Sequence, residues 1–85
     1  MRITVYGKVQ GVGFRYHTRK AAQCFGINGF VKNQVSGAVY AEAEGDQMAV
    51  DLFCEWCKKG PDWARVDRIS ICEAGVKEYS AFEIR

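Results

Sequence analysis

Two amphipathic helical stretches separated by a pair of short alternating strands constrain this chain more than any other feature of its sequence. Phe14, Thr18, Ala21, Ala22 and Phe25 recur at helical spacing and predict a helix with one apolar stripe, stopped by Gly26 near a C′ position. Ala49, Val50, Phe53, Trp56 and Cys57 give a second helix its core face. Asp46 stands where a cap belongs, and Gly60-Pro61 ends that helix. Between them lie "INGFVKN" and "GAVYAEAEG", two strands joined through a turn spanning Asn33 to Gly37. Before the first helix, "RITVYGK" alternates, with Ile3, Val5 and Gly7 on one side. After the second, "ARVDRISIC" reads as a strand whose alternation slips between Val66 and Ile69, as a β-bulge would make it do. "AFEIR" supplies a short last strand.

The order strand, helix, strand, strand, helix, strand predicts an α+β fold, the ferredoxin-like βαββαβ sandwich. Its sheet would be mostly antiparallel, with both helices on one face and the short C-terminal strand added. Val39, Ala41 and Ala43 point one way in the second hairpin strand, and Tyr40, Glu42 and Glu44 the other. The face away from the helices is therefore expected to be solvated. At 85 residues the expectation is a single domain, residues 1–85. No apolar run reaches the roughly 18 residues of a membrane span. The N-terminus enters a strand directly, with no apolar signal core or small-residue cleavage site, so the expected compartment is the cytoplasm. The expected state is a monomer.

Charge is unevenly placed. Arg2, Lys8, Arg15, Arg19, Lys20 and Lys32 all precede the first acid, Glu42; all ten acids lie in the remainder of the chain. Such a half attracts anions if its bases converge in space, and is an ordinary solvated surface if they do not. Cys54 and Cys57 form a C-x-x-C inside the second helical pattern, with Cys24 and Cys72 far to either side. A second close ligand pair is missing, so buried apolar packing is the expectation over a metal or redox site.

The stretch that bears on chemistry is "VYGKVQGVGFR", Val5 to Arg15, which joins the first strand to the first helix. Amides at a helix start lack intrahelical acceptors, and the helix dipole favours an anion there. Gly11 and Gly13 admit positive φ, and consecutive amides around them can form a concave nest. Arg15 adds a planar fork that matches two phosphate oxygens. The stretch is neither G-x-x-x-x-G-K-[ST] nor G-x-G-x-x-G. On these residues alone it is either an anion cradle or a strand-to-helix turn with a surface arginine. Asn33, at the end of the next strand, would lie in the same sheet and could orient a water, or could serve the turn "NQVSG".

Together, "VYGKVQGVGFR" and "GFVKNQVSGAVYAEAEG" resemble the two signatures of the acylphosphatase family. Val5 to Arg15 meets every fixed position of the first, and Gly29 to Gly45 meets the second, with Asn33, Gly37 and Val39 in place. The resemblance continues through "CEWC", "ARVDR" and the final "FEIR". It implies hydrolysis of the carboxyl–phosphate bond of small acyl phosphates to carboxylate and inorganic phosphate. It further implies a ferredoxin-like fold, no metal or other cofactor, and no phosphoenzyme. Arg15 matches the phosphate-binding arginine and Asn33 the water-positioning asparagine. Gln10, Gly11, Val12, Gly13 and Phe14 match the phosphate-binding loop, and inorganic phosphate becomes a product and a competitive ligand.

Departures are few. Ser36 and Tyr40 stand where many members have Asp and Glu, which reads as variation of the turn and sheet face. Gly13 fills a variable position often held by a larger residue, which bears on how firmly the loop closes. His17, the only histidine, reads as a surface residue. Two other readings compete with a stand-alone acylphosphatase. One is a domain that handles carbamoyl phosphate, as in hydrogenase-maturation carbamoyltransferases; a chain ending where the domain ends favours the stand-alone enzyme. The other is an RNA-binding module on the same sheet. RNA would want exposed aromatics and bases, and "VYAEAE" offers one aromatic and two acids, so neither nucleic acid nor membrane is expected as a partner.

Overall fold

The computed structural model describes all residues from Met1 to Arg85. Its elements run β1 (Arg2–Lys8), α1 (Phe14–Phe25), β2 (Asn28–Asn33), β3 (Val39–Glu44), α2 (Gln47–Lys59), β4 (Arg65–Cys72) and β5 (Phe82–Ile84). One five-stranded sheet has the order β4-β1-β3-β2-β5. Every pairing is antiparallel except β2 with β5. This is the expected ferredoxin-like arrangement with a fifth strand on the β2 edge.

The inward residues of three strands, Ile3 and Val5, Val31, Val39 and Ala41, meet Phe14 and Ala22 of α1 and Val50, Phe53 and Cys57 of α2 in one buried cluster. Both helices thus cover the same sheet face, as the two apolar stripes require. Gly26 closes α1 in a left-handed conformation, with the Ile27 amide donating to the Ala22 carbonyl at 2.8 Å. Asp46 occupies the N-cap of α2, yet its side chain makes no capping hydrogen bond. Cys54 and Cys57 are buried on the core side of α2, whereas Cys24 and Cys72 are exposed, and all four are free thiols.

The slip in β4 is a bulge: Tyr6 pairs with Arg68 and Gly7 with Val66, leaving Asp67 as the extra residue. Gly7 lies at φ 135°, and a Cβ there would stand 2.1 Å from the Arg65 carbonyl oxygen. No side chain fits that approach.

The outer face departs from the expectation of a solvated surface. Glu42 is only 8% exposed, and Phe30 beside it is buried. The segment between β4 and β5 crosses this face. Its Tyr79 hydroxyl donates to Glu42 at 2.8 Å, the Tyr40 hydroxyl donates at 2.6 Å, and the Lys77 ammonium lies 3.1 Å away. Glu44 accepts hydrogen bonds from the Lys77 and Tyr79 amides. Phe30 packs against both Tyr40 and Tyr79, and the Arg85 guanidinium lies 4.3 Å from the centre of the Phe30 ring. The acids read as a wet face are the latch for a strap of chain. Burial alone would raise the Glu42 pKa, but the hydrogen bonds from Tyr40, Tyr79 and Lys77 outweigh it and bring it down to about 2. Burial and the Glu42 contact push Tyr40 up to about 12.

Candidate active site

The loop after β1 turns through two left-handed glycines, Gly11 at φ 74° and Gly13 at φ 76°, and Gly13 is the N-cap of α1. No side chain caps this helix, and its first turn contains no acid. The first amide to find a helical acceptor is that of His17, which donates to the Gly13 carbonyl at 3.1 Å. The amides of Phe14, Arg15 and Tyr16 therefore stand at the helix mouth without intrahelical acceptors. That leaves the positive end of the dipole open to an anion.

Beside this mouth is a cleft of about 190 Å³ lined by Val9, Gly11, Gly13, Phe14, Arg15, Tyr16, Asn33 and Ile84. The glycine loop, Arg15 and Asn33, separated in sequence, thus share one concavity. Asn33 is the last residue of β2, paired with Val39, and its side chain is exposed. Arg15 is half-buried and takes part in no ion pair or side-chain hydrogen bond. The four ion pairs of the molecule are Glu55–Lys58, Asp67–Arg65, Glu42–Lys77 and Glu83–Arg85. All of their cations come from the later part of the chain, so none of the six early bases is neutralised by a carboxylate. A half-buried guanidinium with no counter-ion, facing open amides, is a ready anion receptor.

Other loop residues have different tasks. The Gln10 side-chain amide turns away from the cleft and donates to the backbone carbonyls of Gln34 and Ala38, at 2.7 and 2.9 Å. It ties the glycine loop to the β2–β3 turn next to Asn33. Val12 packs against the core. The Phe14 ring is buried in the core, 5.9 Å from that of Trp56.

Tyr16 and Ile84 are lining residues that sequence reasoning missed. Ile84 arrives because β5 runs parallel to β2, placing Ile84 opposite Val31, and no local spacing encodes that. Tyr16 follows Arg15 directly, an aromatic outside the helix's apolar stripe, and that placement was the available signal; in the structure it is 47% exposed. His17 is exposed and lies against Gly13 outside the cleft lining. No Asp, Glu, His or Cys lines the cleft.

Fold and cleft together define a ferredoxin-like α+β domain whose cationic loop–helix mouth faces an asparagine across a small cleft. The profile of the acylphosphatase family matches residues 1–84. An acylphosphatase of Acaryochloris marina is 45% identical over 99% of this chain and 90% of its own length. The crystal structure of acylphosphatase from Bacillus subtilis superposes with a TM-score of 0.94 at 38% identity, over 99% of this chain and 94% of that one. A full-length HypF structure, in a phosphate- and nucleotide-bound form, matches with a TM-score of 0.92 at 38% identity, over 99% of this chain but 11% of HypF. The chain belongs to the acylphosphatase family.

Proposed function

We propose that this protein hydrolyses the carboxyl–phosphate bond of small acyl phosphates, releasing carboxylate and inorganic phosphate, with Arg15 and Asn33 as the catalytic residues. The observation that carries the reading is the half-buried, counter-ion-free Arg15 in one cleft with Asn33 and the open amides of the α1 mouth. Phosphoryl transfer asks a protein chiefly for positioning and charge stabilisation. The Arg15 fork and the amides around Gly11 and Gly13 hold the non-bridging phosphoryl oxygens as their charge redistributes. The Asn33 carboxamide orients a water opposite the leaving carboxylate. As the water oxygen bonds to phosphorus, the bond from phosphorus to the carboxyl oxygen breaks, and its electron pair leaves with the carboxylate. The water's proton ends on a phosphoryl oxygen. A carboxylate is a weakly basic leaving group, so the step runs without a general acid, in keeping with a cleft that has no titratable side chain besides Arg15 and Tyr16.

The substrate is a small-molecule acyl phosphate, and phosphate competes with it for the same amides. The apolar core closes within one chain, which supports a monomer. Four free thiols suit the reducing cytoplasm; no helix is long and apolar enough to cross a membrane. The strap over the outer sheet face occupies the surface that an RNA would need, which favours an enzyme over an RNA-binding module. Benzoyl phosphate turnover by the purified protein in the presence of a chelator tests the reading. Stoichiometric benzoate and phosphate are expected. A protein that bound phosphate but left benzoyl phosphate intact would instead be a binding module.

A further inference from the structure

A second, larger cavity of about 450 Å³ lies outside the cleft, between one face of α1 and the C-terminal end of α2 with the turn that follows it. His17 and Lys20 line it from α1, Trp56 and Lys59 from α2, and Asp62 and Trp63 from the turn. Its size falls in the range of small-molecule sites, roughly 300–1,000 Å³. The chemistry of its walls is of two kinds. Both tryptophans of the chain are here: Trp56 is half-buried against Phe14, and Trp63 is 81% exposed. Lys20 and Lys59 face the groove from different helices, and neither forms an ion pair with a carboxylate. Lys20 leans on the Tyr16 ring at 5.4 Å, and Asp62 is the only acid in the lining.

We propose that this groove is a second ligand site, separate from the catalytic cleft, for a planar aromatic ring that bears an anionic group. The indoles offer the ring apolar area and a stacking partner. Lys20 and Lys59 hold the negative charge from two sides. Aryl carboxylates and nucleoside monophosphates share this chemistry. His17, one of the lining residues, has its ring carbon Cδ2 3.6 Å from where a Gly13 side chain would begin. The groove therefore adjoins the phosphate loop without sharing a lining residue with the cleft.

Because the chain's tryptophans both sit in the groove, intrinsic tryptophan fluorescence reports its occupancy directly. The protein is titrated with benzoate and, separately, with AMP, exciting at the red edge of the indole band to avoid absorption by the probe. Saturable quenching is expected with at least one of them, and which one responds separates the aryl-acid from the nucleotide source. The response should persist in Arg15→Gln, which disables the cleft. It should weaken about tenfold in the double variant Lys20→Gln/Lys59→Gln, where two solvent-exposed charge contacts are lost. Both lysines are exposed and outside the cleft, so that variant should keep its circular dichroism and its benzoyl phosphate turnover. Three outcomes overturn the site: no saturable response to either probe, an unchanged response in the double variant, or a response abolished by Arg15→Gln.

Discussion

The side-chain amide of Gln10 stands 2.7 Å from the backbone carbonyl oxygen of Gln34 and so joins the glycine loop to the turn that follows Asn33. One half of the cleft is the β1–α1 loop and the other is the end of β2, and this contact, with its companion to Ala38, ties them together. Gln10→Ala removes both hydrogen bonds. We expect a stability loss of about 1–2 kcal/mol in urea unfolding. Turnover of benzoyl phosphate should fall by about tenfold or more, through a looser placement of Asn33 against the loop. Gln10→Glu, which cannot donate to either carbonyl when ionised, should resemble the alanine variant.

The glycines of β1 and of the loop should both lose stability on change to alanine, but to very different degrees. At Gly13 the cost is the left-handed backbone alone, since the nearest atom to a new Cβ is 3.6 Å away, in the His17 ring. Gly13→Ala should lower stability by about 1 kcal/mol and leave a folded, active protein. At Gly7 the new carbon would meet the Arg65 carbonyl at 2.1 Å, inside the β1–β4 bulge. Gly7→Ala should cost more than about 3 kcal/mol. Thermal melts of the two variants side by side check the contrast.

Acid should loosen the strap before it touches the cleft. The Glu42 pKa is lowered to about 2, so its contribution to stability is complete above the unfolded-state value of about 4.3 and is lost as pH falls through about 2. Hydrogen bonds from the Lys77 and Tyr79 amides hold Glu44 low as well, and its contribution has the same sign. Tyr40 is shifted the other way, to about 12, so its contribution is present below about 10 and fades as pH rises towards 12. Melting temperature followed against pH should therefore decline in the acid window, and Glu42→Gln should flatten that decline.

Thiol chemistry should divide the cysteines into two pairs. Cys24 and Cys72 are exposed, whereas Cys54 and Cys57 are buried in α2, with burial pushing both of their pKa values up. Native protein treated with a disulfide reagent should react at two thiols quickly, and at the other two only on unfolding. Rapid reaction of all four would contradict the packing of α2.

Much of this was legible because local signals agree with the fold. The stripe from Phe14 to Ala22 and Gly26 placed α1, and the broken alternation between Val66 and Ile69 marked the bulge that Asp67 creates. Gly11, Gly13, Arg15 and Asn33, each singled out in the sequence, line one cleft in the structure. The rest depends on chain that carries no periodicity. The segment holding Lys77 and Tyr79 forms no regular element, so nothing signalled that it would cover Glu42. Ile84 reached the cleft through a parallel pairing with β2, a property of sheet order. Gln10 lay within the recognised loop, but the direction of its side chain is set by the β2–β3 turn.

One experiment tests the proposed division of labour between Arg15 and Asn33 by separating their roles. Steady-state benzoyl phosphate hydrolysis is measured for wild type, Arg15→Gln and Asn33→Ala, with inorganic phosphate as competitive inhibitor in each. Arg15→Gln should lower turnover by about a thousandfold or more and abolish phosphate inhibition. Asn33→Ala should lower kcat by about a hundredfold or more while leaving the phosphate inhibition constant nearly unchanged. Full turnover by Asn33→Ala, or undiminished phosphate inhibition in Arg15→Gln, would contradict it.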